Sequence, residues 1–218
     1  MALFRALCCR LGCISAVMLL PALLSWAGSE KGLPAFGRDT VLVWNTVNQD
    51  YSAMLVVRVA EFSPDRFVEW EDASTQGTIF MPSVDVEGAK GFASSELFKS
   101  GVDSRAKNVT TLWLSRRIFH ELKDKKKAKV EIDGVPGLLT YLGEDHLTVT
   151  VNRAPMDLPV IKIADDRGSE RWFLDDESNP LMLKHSLRQY SQTLTSITTD
   201  KQNTLRWIKG TKLNNPPH

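Results

Sequence analysis

The sequence predicts a mainly β protein: a curved antiparallel sheet, half-barrel or open barrel in form, with one or two short helices across its concave face. Three observations carry this. Short runs rich in β-branched and aromatic residues recur along the chain between turn residues. Strong helical periodicity is confined to residues 115–124. No alternation of strands with helices marks a parallel α/β sheet.

Residues 28–38, with Gly28, Gly32, Pro34 and Gly37, make a flexible lead-in. Residues 40–47 and the nearly continuous apolar run 53–62 form a hairpin across Asn48-Gln49-Asp50. Ser63-Pro64-Asp65 turns the chain into a third strand, from Arg66 to Trp70, and residues 76–81 supply a fourth, closed by Pro82. Residues 94–99 are helix-compatible. Leu114, Ile118, Phe119 and Leu122 share one helical face, and Ser115 is a suitable N-cap, which predicts a helix over 115–124. Short strands follow at 129–132, ending at Asp133-Gly134, and at 138–142, ending at Gly143-Glu144-Asp145. Residues 146–152 alternate, with Leu147, Val149 and Val151 on one face and His146, Thr148, Thr150 and Asn152 on the other. Residues 158–163 and 170–174 flank the turn Asp165-Asp166-Arg167-Gly168, and 181–187 and 193–197 complete the sheet. One β-rich domain over 39–199 results, with a tail over 200–218 whose bulky apolar residues are Leu205, Trp207 and Ile208.

The first 27 residues read as an export signal. Arg5 and Arg10 precede an uncharged run, and Ser25-Trp26-Ala27 places small residues at −3 and −1 of a cleavage site after Ala27. The expected location is periplasmic or secreted; the alternative is an inner-membrane anchor formed by an uncleaved leader. Cys8, Cys9 and Cys13 all lie in this leader, so the remainder has no cysteine for disulfides, thiolate metal sites or nucleophilic catalysis. The whole chain carries 27 Lys+Arg against 26 Asp+Glu, and without Arg5 and Arg10 the balance is faintly acidic. Such neutrality provides no global field for nucleic acid, and none is expected as a partner. Lys123, Lys125, Lys126, Lys127 and Lys129 form a local basic run, read as a solvated helix end. Membrane contact through it would be transient.

Catalytic signals are missing. His120, His146, His185 and His218 lack metal-ligand spacing, and there is no nucleophile elbow, phosphate loop or dinucleotide fingerprint. No serine has a base identifiable from sequence. No catalytic residue, cofactor or enzymatic activity is therefore assigned. Asp175, Asp176 and Glu177 are adjacent acids and weak metal candidates, but they lack the alternating pattern of a calcium loop. Trp44, Trp70, Trp113, Phe119 and Trp172 are the candidate ligand-binding residues. In a curved sheet such side chains either pack the core or line a hollow suited to an acyl chain.

The segment from Arg171-Trp172-Phe173-Leu174-Asp175-Asp176-Glu177 through Ser178-Asn179-Pro180-Leu181-Met182-Leu183 resembles the late hairpin of exported bacterial proteins related to the lipoprotein-carrier half-barrels. Leu114 to Leu122 and Val130-Glu131-Ile132-Asp133-Gly134 are similar as well, so the likeness covers about residues 112–198. It implies a curved sheet with helices across its hollow and a periplasmic role in binding apolar material, and it transfers no catalytic residue. The function expected first is a binding protein for an apolar ligand, such as a lipid or a lipoprotein acyl chain. The second is an envelope scaffold offering a strand edge or the lysine run to a protein partner. The third is a hydrolase using histidine and carboxylate side chains.

Overall fold

The computed structural model describes residues 32–49 and 51–201. The segment expected to be a leader, with its expected cleavage position, and the apolar residues of the tail lie outside them. Among the described residues no helix is long and apolar enough to cross a membrane.

Four strands in antiparallel succession open the fold: β1 (Val41–Asn48), β2 (Tyr51–Glu61), β3 (Arg66–Glu71) and β4 (Gln76–Met81). Asn48 pairs with Tyr51 at the first hairpin. A short helix, α1 (Ser83–Gly88), follows, then three very short strands, β5 (Gly91–Phe92), β6 (Asp103–Arg105) and β7 (Val109–Thr110). Helix α2 (Arg116–Lys125) leads into β8 (Lys127–Ile132). The meander then runs through β9 (Val135–Val151), β10 (Ala154–Asp165), β11 (Glu170–Leu174), β12 (Met182–Leu187) and β13 (Tyr190–Thr198). All thirteen strands join one open sheet in the order β6-β4-β3-β2-β1-β13-β12-β11-β10-β9-β8-β5-β7.

The mainly β expectation holds, but the sheet is mixed rather than wholly antiparallel. β4–β6, β5–β7 and β5–β8 pair in parallel. A further parallel contact sets Ser196 and Ile197 of β13 beside Thr150 and Val151 of β9, curling the sheet back toward itself.

Local chemistry fixes the elements. The Ser115 hydroxyl accepts the Ile118 amide at 3.2 Å and caps α2, and Lys126 ends it in the left-handed region with φ 60°. Ile118, Phe119 and Leu122 are the buried face, as the spacing requires. Asp133 and Gly134 (φ 47° and 73°) turn β8 into β9, and Asn152 and Arg153 (φ 47° and 73°) turn β9 into β10; paired positive φ values are the two-residue hairpin geometry that matches strand twist. The alternation over 146–152 is borne out, with Val149 and Val151 buried and His146, Thr148 and Thr150 exposed.

Three local expectations are corrected. Residues 94–99 are turns rather than a helix, because the Ser94 and Ser95 amides bond to Asp133 Oδ1 (2.7 and 3.3 Å). A helix forms instead at α1, where the Ser83 amide donates to Asp65 Oδ1 at 2.6 Å. The Gly143-Glu144-Asp145 turn is strand: β9 passes straight through it, with Gly143 at φ 148° opposite an irregularity between Lys162 and Ile163.

Inward residues of the sheet and of α2 merge into one apolar core. Trp44, Trp113, Phe173, Leu114, Ile118 and Leu122 are among its wholly buried members. The interior is therefore occupied by the chain's own large side chains. On the opposite face of β1 and β2, Val41, Val43 and Val56 form a separate small cluster.

Candidate functional site

At the turn end of the β1–β2 hairpin the sheet is not closed over. A cleft of about 190 Å³ opens there, framed by Thr46 of β1, by Tyr51, Ala53, Met54 and Leu55 of β2, and by Gln192 of β13. Trp70 reaches it from β3, Asp72 from the turn that follows β3, and Ser94, Ser95 and Phe98 from the loop after β5. Its walls are mostly apolar. Tyr51 and Met54 are 55% and 59% exposed, so both present apolar surface at the cleft.

The deep wall is closely packed. Trp70 is 2% exposed and meets the Phe98 ring edge to face, with centroids 5.3 Å apart. Gly77, paired with Trp70 across β3–β4, allows this: a Cβ there would stand 3.0 Å from the indole Nε1 and 2.9 Å from the Lys99 carbonyl. The polar rim is fixed too. Asp72 Oδ1 accepts the amides of Ser74 (2.9 Å) and Thr75 (2.7 Å). Burial pushes the Asp72 carboxyl up, but these bonds prevail and hold it below its ordinary value. Such a surface can take an apolar group and orient it by its polar edge.

Of the five predicted ligand-binding residues, only Trp70 lines this cleft. Trp44, Trp113, Phe119 and Trp172 belong to the core. Three indoles are anchored: Trp44 Nε1 donates to the Met182 carbonyl (3.1 Å), Trp113 Nε1 to Asn179 Oδ1 (2.8 Å) and Trp172 Nε1 to Asp145 Oδ2 (3.2 Å). Tyr51, Met54, Phe98 and Gln192 went unrecognised. For Tyr51 and Met54 the available signal was the nearly continuous apolar run of β2, interrupted at Arg58, which lacks the alternation of a strand with one wet face.

The three adjacent acids are held apart by separate partners. Both oxygens of Asp175 lie 3.1 Å from Lys123 Nζ, which also bonds Glu144. Asp176 Oδ1 accepts the amide and hydroxyl of Ser178 (2.9 and 2.8 Å). Glu177 Oε1 is 3.0 Å from His120 Nε2. Among the described residues no three His, Cys, Asp or Glu side chains gather as metal ligands. Of the lysine run, Lys123 is thus paired and Lys126 lies 4.1 Å from the Tyr141 ring centroid, while Lys127 and Lys129 alternate outward on β8.

One serine does acquire a histidine neighbour. Ser169 Oγ is 2.7 Å from His185 Nε2, because the β11–β12 register sets Arg171 opposite His185 and Glu170 opposite Ser186. Both side chains are buried. Asp165 does not orient the imidazole; it accepts the Ser169 and Arg167 amides and pairs with Arg171 at 2.8 Å. Burial, then the Arg171 charge, depresses the His185 pKa to about 4, against weaker pulls from Asp165 and Asp133. This is a neutral, inaccessible pair within the sheet, not an exposed nucleophile.

Fold and site together define a mixed, mainly antiparallel β-sheet protein with a side-chain-filled core and an open, mostly apolar cleft at one hairpin end. No known protein family, curated protein or solved structure matches the chain.

Proposed function

We propose that the protein is an exported, non-catalytic binding module that takes an apolar group in the cleft between the β1–β2 hairpin and the Phe98 loop. The supporting observation is the cleft itself: Ala53, Met54, Leu55, Trp70 and Phe98 converge on it while Tyr51 and Met54 stay open to solvent. Its size narrows the ligand. At about 190 Å³ it falls below the ~300 Å³ at which pockets begin to enclose a drug-sized molecule. The end of an acyl chain or one apolar side chain fits that space; a whole lipid in the interior does not agree with the buried tryptophans.

Export to the periplasm rests on the leader alone, and kinship with the lipoprotein-carrier half-barrels rests on residues 112–198 alone. The scaffold alternative has less support. The sheet ends at β6 and β7, and β6 spans only Asp103–Arg105 while β7 spans only Val109–Thr110, too short to template a partner strand well.

Calorimetric titration with neutral n-alkanols tests the binding reading. Saturable binding that Met54→Glu abolishes is the predicted result. No binding, or binding indifferent to Met54→Glu, overturns it.

A further inference from the structure

We propose that Arg66, at the start of β3, forms the floor of an oxyanion site beneath the turn at residues 175–179, taking a single carboxylate or phosphate group. Arg66 is 3% exposed. Its guanidinium carbon lies 4.9 Å from the Phe62 ring centroid and 4.8 Å from that of Trp113. Nη2 donates to the Ser178 carbonyl at 3.1 Å, but Nε and Nη1 are buried with no protein acceptor.

Two strongly paired arginines set the contrast. Arg171, equally buried and with its own Nε lacking an acceptor, still has Asp165 at 2.8 Å, and Arg58 is gripped by Asp39 and Glu69. No described carboxylate forms an ion pair with Arg66. A buried cation with open donors is costly unless an anion meets it, and a guanidinium is shaped to receive carboxylate or phosphate oxygens.

The surroundings favour the same occupant. Arg116 brings a second positive charge, and its own Nε is buried without an acceptor. It is also the first residue of α2, whose first turn holds no acid; cations there oppose the helix dipole, whereas an anion would suit it. The nearby acids point elsewhere: Asp176 caps Ser178, and Glu87 pairs with Arg116 at 2.9 Å. Burial first, and Arg116 second, lower the Arg66 pKa to about 9, with Asp176 and Glu87 opposing. A bound oxyanion would supply a countercharge that opposes this lowering.

The test is NMR of the ¹⁵N-labelled full chain, following the Arg66 Nε–H resonance while sodium acetate and, separately, inorganic phosphate are added at fixed pH and ionic strength. A saturable shift with either probe is the expected result, and the responding probe identifies the group as carboxylate or phosphate. Arg66→Lys, checked for folding by circular dichroism, should remove the saturable rise in Tm that the responding probe produces. Arg116→Gln should weaken binding about two- to fivefold, the effect of one half-exposed charge. These two variants are independent of each other, and the wild-type titration depends on neither. A resonance that stays still or drifts linearly with both probes, marking an adventitious ion only, overturns the proposal. So does a crystal grown in phosphate with water alone on Nε and Nη1.

Discussion

Phe98 meets Trp70 edge to face at 5.3 Å, and this contact ties the loop after β5 to β3. Leu97 of the same loop also packs against the core, and the Gly101 amide donates to the Gln76 carbonyl at 2.8 Å. The loop's Ser94 and Ser95 amides reach Asp133 Oδ1, so an aromatic pair and a carboxylate hold the three loop residues that line the cleft.

Truncating the two members of that pair should have unequal effects. Phe98→Ala removes a partly buried ring and should cost about 1–3 kcal/mol. Trp70→Ala empties the floor and should cost about 3–5 kcal/mol. Urea unfolding of both variants measures this. Phe98→Ala should also shift the n-alkanol preference toward longer chains, since the cleft deepens.

His185 should make stability fall on mild acidification. Its folded pKa, about 4, lies below the ~6.5 of an unfolded histidine, so the unfolded chain binds the proton more readily. The contribution is complete above pH ~6.5 and is lost progressively as pH falls toward 4, to a total on the order of 3 kcal/mol. Denaturation midpoints measured across this window should decline in the wild type, and His185→Gln should flatten the slope.

The Asp165–Arg171 pair should be unforgiving of single changes. Both side chains are buried, and the Asp165 oxygens also hold two backbone amides. Asp165→Ala should cost about 3–5 kcal/mol, because Arg171 would be left buried and uncompensated. The double variant Asp165→Ala with Arg171→Met should recover part of the loss; strictly additive losses in guanidinium unfolding would count against this account.

Asn179 illustrates how the acidic turn is joined to the core. Its Oδ1 accepts the Trp113 indole N–H at 2.8 Å in a buried setting. Asn179→Leu strands that donor and should destabilise by about 1–3 kcal/mol, whereas Asp176→Asn on the exposed side of the same turn should change stability by under about 1 kcal/mol. Thermal melts of the two variants separate them.

What could be read in advance followed local periodicity. The β1–β2 hairpin, α2 with its Ser115 cap, the Asp133-Gly134 turn and the alternation from His146 to Asn152 all carry their signals within a few neighbouring residues. β5, β6 and β7 do not: two or three residues have no period, and their parallel partners come from distant segments. The site failed for the same reason. Phe98 reaches Trp70, and His185 reaches Ser169, only through the assembled sheet. Arg66 reads as an ordinary charged residue opening a strand, and its burial between Phe62 and Trp113 depends on α2 and the turn ahead of β12. Aromatic composition predicted the core correctly as apolar mass but could not divide it between packing and ligand.

The most direct test of the cleft is methyl NMR of protein labelled at the methionine ε-carbons. Met54 stands at the mouth, 59% exposed, whereas Met81 and Met182 lie in the core. Titration with a neutral n-alkanol should move the Met54 signal saturably and leave those of Met81 and Met182 in place. Movement of the core methyls with Met54 unaffected would locate the ligand in the interior and contradict the account.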